Sequence, residues 1–326
     1  MSDLSARKAI LLSTLILVVC LNVVSQSDPA RVAEEKAVAF LSREVPAWSR
    51  DNGCFSCHNN GDGARALYAA TVKGYRLPAA ALSDTTAWVS EPQKWDTNKG
   101  DPGFSDKRLA NIQFAASLQA AYEARMIAGI GPLREGARKL VADQGADGAW
   151  HIGGDNILGS PATYGTYLAT VMALRSLKGS GLSQLEDAIR KSERWLLKSS
   201  PPDLISSSSL VIALKEITVD HTTRRRIEEQ WLNSVRMTQT TDGGWGPYPD
   251  SPPEPFDTAM VLLALDRLRD RHNVQDLILR GRKFLASVQN GDGSWPPTTR
   301  PARGESYAQG MSTTGWATLA LLATRE

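Results

Sequence analysis

Gln239-Thr-Thr-Asp242-Gly243-Gly-Trp245 decides how this 326-residue chain is read, because its spacing returns at Gln144-Gly-Ala-Asp147-Gly148-Ala-Trp150 and at Gln289-Asn-Gly-Asp292-Gly293-Ser-Trp295. Each copy is Q-x-x-D-G-x-W. From Gln239 to Gln289 is 50 residues, and from Gln144 to Gln239 is 95, close to two such periods. A period of that size marks a stacked or closed repeat. The member in between falls at Trp195-Leu196-Leu197, where Lys198 to Pro202 stands in place of the loop. Asp can hydrogen-bond its own turn, and Gly reaches positive φ without steric cost. Each Trp then covers apolar surface between neighbouring units, with its N–H directed at a carbonyl.

The flanks repeat as well. An amphipathic helix precedes each motif, closing on Leu140-Val141, Trp195-Leu196, Trp231-Leu232 or Phe284-Leu285. A more apolar helix follows, over Tyr164–Leu177, Ser206–Ile217, Asp257–Leu268 and Thr313–Ala323. Two earlier units complete the series. One pairs Ala33–Leu41 with Gly61–Lys73, and a less regular one runs from around Trp88 to Ser105–Ala124. Amphipathic helices alternating with apolar ones predict two concentric layers. Six such hairpins predict an all-α (α/α)6 toroid forming one domain over residues 28–326, with an open solenoid as the competing architecture.

Composition bounds the function. With 37 Lys+Arg against 35 Asp+Glu the net charge is +2, so no global field recruits nucleic acid. Arg224-Arg225-Arg226 reads as a solvated helix face. Residues 1–27 read as an export signal: Arg7 and Lys8 precede an apolar run from Ala9 to Val24. That run suits a cleaved signal better than a full span of about 20 residues. The alternative is an uncleaved anchor, with membrane contact through this segment. Either way the body of the chain is expected in the periplasm or otherwise exported.

The Q-x-x-D-G-x-W loops and the helix start Asp257-Thr258-Ala259 resemble the prenyltransferase/squalene oxidase repeat family, over roughly residues 33–326. The resemblance implies the toroid of squalene–hopene cyclases and of protein prenyltransferase β-subunits, and an apolar isoprenoid in the cavity. Class II cyclases of that family protonate an alkene or epoxide from a D-x-D-D segment. Alignment through Thr258-Ala259 places Glu254, Pro255, Phe256 and Asp257 there, with Phe256 at the acid's position. A phenyl ring donates no proton. Asp257, as the first residue of its helix, is expected to cap it. If cyclase chemistry persists, a displaced acid is required, with Glu254 or Asp257 the candidates. The Asp, Cys and His zinc set of the prenyltransferases is missing too, since the chain has no cysteine beyond Cys20, Cys54 and Cys57.

Cys54-Phe55-Ser56-Cys57-His58 is C-x-x-C-H, the attachment signature of haem c: two thiols join the porphyrin vinyl groups and the histidine reaches iron. Export and this motif support one another. A disulfide or redox dithiol, or another metal site, are the competing readings. His151 or Met311 are candidates for a sixth iron ligand, and the haem is expected to face the mouth of the central cavity. With Gly74-Tyr75 following, the segment also resembles the start of a bacterial subfamily that joins C-x-x-C-H to squalene-cyclase-type repeats. The leading expectation is therefore a redox or ligand-binding haemoprotein, served by a redox partner protein. A terpenoid cyclase-like enzyme is the first alternative and a haem-free binding scaffold the second.

Overall fold

A computed structural model describes residues 28–99, 106–153, 158–300 and 306–325. Residues 1–27, expected from the sequence to be an export signal, lie outside them. Among the described residues, no helix is long and apolar enough to cross a membrane.

Among the described residues, twelve α-helices alternate between two layers. The outer layer is α1 (Pro29–Asn52), α3 (Ser83–Val89), α5 (Gly131–Val141), α7 (Glu186–Lys198), α9 (His221–Thr238) and α11 (Gln275–Ser287). The inner layer is α2 (Ala64–Val72), α4 (Lys107–Glu123), α6 (Gly165–Gly179), α8 (Leu204–Ala213), α10 (Pro255–Asp266) and α12 (Tyr307–Ala323). Each inner helix packs on the next, and α12 packs back on α2. The ring is closed, and the open solenoid is excluded. The comparatively weak second unit has a physical cause: its outer helix is only 7 residues long and is flanked by 3-10 turns.

The repeated loops are clasps. Trp150, Trp245 and Trp295 are buried, and their Nε1–H groups donate to the carbonyls of Leu140, Val235 and Leu285 at 2.9, 2.9 and 2.8 Å. Their backbone N–H groups donate to Thr170, Thr258 and Thr314 Oγ1, each at 3.0 Å, which fixes the start of the following inner helix. The glutamines reach sideways. Gln144, Gln239 and Gln289 donate to the carbonyls of Ala188, Leu277 and Ala33 on the next outer helix. The glycines allow this approach. Gly148, Gly243 and Gly293 have φ of +104°, +92° and +98°, and a Cβ on any of them would overlap the backbone of Lys191, Arg280 or Lys36. The last clasp holds α1, so residues 256 apart in sequence seal the first unit to the last.

Candidate functional site

In the first unit, C-x-x-C-H occupies the position of the clasp, between α1 and α2. The sequence reading takes it as a loop. In the structure only Cys54–Ser56 are irregular, and Cys57–Gly63 form a π-helical turn that runs into α2. Such turns concentrate at functional sites. Ser56 caps the turn by accepting from the His58 and Asn59 N–H groups. Asn59 and Asn60 are buried and tie it to the α1 carbonyls of Glu44 and Val45. Phe55 turns away and stacks on Trp88 at 4.5 Å.

Cys54 and Cys57 are free thiols, and both are half-buried. Burial pushes the Cys57 thiol up to about 12 and the His58 imidazole down to about 4, so the ring is neutral. His58 Nδ1 lies 3.0 Å from Ser312 Oγ, and Ser312 Oγ donates to Asp62 Oδ2 at 2.8 Å. A hydroxyl has one proton to give. Ser312 therefore accepts from His58 Nδ1–H, which leaves the lone pair on Nε2. Nε2 makes no hydrogen bond among the described residues. Two thiols and a neutral imidazole with a free Nε2 fit the attachment chemistry of haem c.

The two candidate sixth ligands are placed differently. Met311 is 2% exposed and its methyl group packs against Gly63 in the π-turn. His151 sits in the third unit's clasp loop with Nε2 3.0 Å from Asp147, beside a separate rim pocket of about 340 Å³.

Asp62, which the sequence reading passed over, is the hub of this end of the barrel. It is fully buried and accepts from the Tyr164 hydroxyl, from Gln113 Nε2 at 2.8 Å and from Ser312. Arg65 Nη2 stands 3.8 Å from it. Burial raises its pKa, opposed by Arg65 and by those hydrogen bonds. The sequence signal was present: Asp62 and Arg65 are a one-turn opposite-charge pair in an otherwise small and apolar helix start.

Below Asp62 the Arg65 guanidinium lies over the Trp316 ring, 3.9 Å from its centroid. Tyr164 and Phe256 meet the same ring edge-on at 5.7 and 6.0 Å. These side chains plug the barrel. Beyond the plug is an axial cavity of about 300 Å³, lined by Leu168, Val171, Met172, Ile212, Leu263 and Leu319 with Arg65 and Trp316 at its floor. Its mouth carries Lys73, Glu123, Arg175, Asp266 and Arg267, at the C-terminal ends of the inner helices. The cavity thus opens away from His58, contrary to the sequence expectation. Large aromatic residues close the N-terminal end, while small and aliphatic ones leave room at the other.

Phe256 is fully buried in the plug. The expected N-cap role of Asp257 is corrected: Pro255 opens α10, so Asp257 is its third residue and Glu254 precedes it. Proline suits a first helical position because it has no N–H to satisfy there. Both candidate acids are instead held by Arg300, which donates to Glu254 Oε2 at 2.8 Å and to Asp257 Oδ1. Thr299 also donates to Glu254. Burial raises the Asp257 pKa to about 7 against the pull of Arg300. That is a weak acid for protonating an alkene. About six residues of helix, roughly 9 Å, separate it from Leu263 at the cavity wall.

No protein-family model matches the sequence, and no curated protein matches it. Solved structures do. A protein from Actinoplanes superposes with a TM-score of 0.60 at 17% identity, over 91% of this chain and 100% of that one. The ent-copalyl diphosphate synthase from Streptomyces platensis gives 0.53 at 19% identity, over 81% of this chain and 50% of that one. A variant of the type II terpene cyclase MstE from Scytonema, in complex with geranylgeranyl dihydroxybenzoate, gives 0.53 at 13% identity, over 91% and 97%. The α/α toroid is therefore that of class II terpene cyclases.

Proposed function

We propose that this cyclase-fold toroid binds an apolar molecule of the isoprenoid class in its axial cavity. The observation that carries the reading is the cavity itself: about 300 Å³, walled by aliphatic side chains and closed at one end. That volume is at the lower end of small-molecule sites. The MstE variant, of similar fold, is in complex with a geranylgeranyl compound, which supports the choice of ligand class. Cyclisation started at the position of Phe256 has no proton donor, and Glu254 and Asp257 are tied to Arg300 outside the cavity wall. Binding comes first, and any chemistry would use groups other than these three.

The test is calorimetric titration of the purified protein with farnesene, an isoprenoid hydrocarbon. Saturable 1:1 binding that is lost in Val171→Trp, which fills the cavity, is the expected result. No heat of binding, or an unchanged affinity in a folded Val171→Trp, overturns the reading.

A second reading rests on the His58–Ser312–Asp62 chain. In it Cys54 and Cys57 would hold a haem c covalently, His58 Nε2 would be its protein ligand, and residues 1–27 would deliver the chain to the compartment where such haem is attached. The group would supply electron transfer or small-ligand binding at the closed end. Ser312 orients the imidazole, and the buried Asp62 carboxylate anchors Ser312. Expression with a cytochrome c maturation system should give a Soret band that survives denaturation and disappears in the Cys54→Ala/Cys57→Ala variant. A colourless product with the apoprotein mass refutes it.

A further inference from the structure

The fourth unit has no clasp, and α9 shows what its loss leaves open. Elsewhere each clasp meets the next outer helix at fixed positions. The glutamine takes the carbonyl of Ala188, Leu277 or Ala33, and the glycine lies against the backbone of Lys191, Arg280 or Lys36, three residues on. One residue further the helix is small, at Ser192, Gly281 or Ala37, and a Cβ on Gly281 would strike the Trp245 ring at 2.8 Å. The 50-residue period from Gln239 to Gln289 carries Leu277, Arg280 and Gly281 onto Ile227, Gln230 and Trp231 of α9. A tryptophan thus stands where the other helices are small. Trp231 is buried and donates from Nε1 to Ser208 Oγ at 3.2 Å, so α9 itself fills the place of the missing clasp tryptophan. Nothing fills the place of the turn. A groove of about 580 Å³ lies there, between Leu197–Leu204, α9 and Pro247–Pro249, with Ile227 and the exposed Gln230 in its lining.

We propose that this groove docks a polypeptide turn of the clasp type, Gln-x-x-Asp-Gly, presented by a partner protein. The equivalent faces of α7, α11 and α1 each hold such a turn. On α9 the incoming glutamine would donate to the Ile227 carbonyl, whose second lone pair is available for it. The glycine, at positive φ, would lie against Gln230. The partner need bring no tryptophan, because Trp231 is already in place. Charge fits as well. The charged residues lining the groove are Lys198, Asp203 and Arg226. Asp203 is committed to the start of α8, accepting from Ser206 N and Oγ at 2.8 and 2.9 Å. The carboxylates of α9, Glu228 and Glu229, are held by Arg271 and Arg225. Lys198 and Arg226 are exposed, and Arg226 donates to Gln230 Oε1 at 3.3 Å. Two cations therefore await the aspartate that every clasp turn carries. A second copy of this chain is a poor source of the turn, since its Gln144, Gln239 and Gln289 turns close its own ring. So small a contact is a transient one.

The probe is a head-to-tail cyclic peptide containing Gln-Thr-Thr-Asp-Gly-Gly, the sequence at 239–244, titrated into the isotope-labelled protein and followed by amide chemical shifts. Saturable shifts confined to residues 226–234 and 198–204, with a millimolar or tighter Kd, are the expected result. Replacing the peptide's glutamine by leucine should weaken binding about fivefold, the effect of one hydrogen bond. Arg226→Glu should weaken it about threefold, as for an exposed ion pair. Gln230→Trp fills the groove from an exposed position and should abolish binding; Arg226→Glu serves if that variant does not fold. Absence of shifts along α9 overturns the proposal, as does binding that is unchanged in a folded Gln230→Trp. Free aspartate that binds as well as the peptide shows an anion site and overturns the turn assignment. Self-association of the protein that is lost in Gln230→Trp shows that a second copy covers the groove, and overturns the assignment to a partner.

Discussion

Gly293→Ala tests the closure of the ring at its seam. The residue has φ of +98°, and an added Cβ would sit 2.7 Å from the carbonyl carbon of Lys36 on α1. Positive φ alone costs a residue with a side chain about 1–2 kcal/mol. Relief of the overlap requires the loop to move off α1, and the bond from Gln289 to the Ala33 carbonyl, 2.8 Å long, goes with it. That adds about 1 kcal/mol, and more if the carbonyl is left dry. The sum is roughly 2–4 kcal/mol, or about 3–6 °C in Tm for a chain of this size. Gly291 is the control: it is exposed, lies in the same turn, and an added Cβ would meet nothing within 4 Å. Gly291→Ala should stay within about 0.5 kcal/mol of the wild type. The assay is thermal unfolding, paired with amide exchange resolved along α1. The reasoning is refuted if the two variants unfold together, or if Gly293→Ala loses stability without faster exchange in α1.

Other expectations follow from the same contacts. Asp257 has a folded pKa of about 7, against about 3.9 in an unfolded chain. The folded state therefore binds the extra proton, and stability falls as pH rises from about 4 to about 7; Tm measured across that window should slope downward in the wild type and less steeply in Asp257→Asn. Arg300→Met leaves Glu254 and Asp257 without their shared cation and should cost about 3–5 kcal/mol in a denaturation experiment. A cost below about 1 kcal/mol would show that the cluster is solvated. Trp245→Phe keeps the ring buried but strands the Val235 carbonyl, so a loss of about 1–3 kcal/mol is expected in urea unfolding.

The clasps were legible because each is local and each residue type has one strong reason to be there. Gly243 must take positive φ beside Arg280, and Trp245 finds its carbonyl ten residues back on the helix it has just left. A pattern that satisfies its own backbone repeats visibly. The partner of each glutamine was not legible, because the Ala33 carbonyl that accepts from Gln289 is 256 residues away and exists as an acceptor only once the ring has closed.

The same divide runs through the candidate sites. Cys54, Cys57 and His58 stand out as scarce residues at a chemically meaningful spacing. The hydroxyl that orients His58 belongs to Ser312, 254 residues on, and nothing around Ser312 announces it. Glu254 and Asp257 were found through a resemblance, but Arg300, which holds both, entered no motif. The direction in which the cavity opens was the least accessible property. It depends on Tyr164, Phe256 and Trp316 arriving at one level of the axis from three different inner helices. Side-chain size along a single helix carries no information about that level. One composition signal did point at the plug: Asp62 and Arg65 are charges one turn apart where an inner helix has every reason to be apolar. Charges retained at a barrel's axis need partners, and here the partners divide the barrel into a closed end beneath His58 and an open end that can take a ligand.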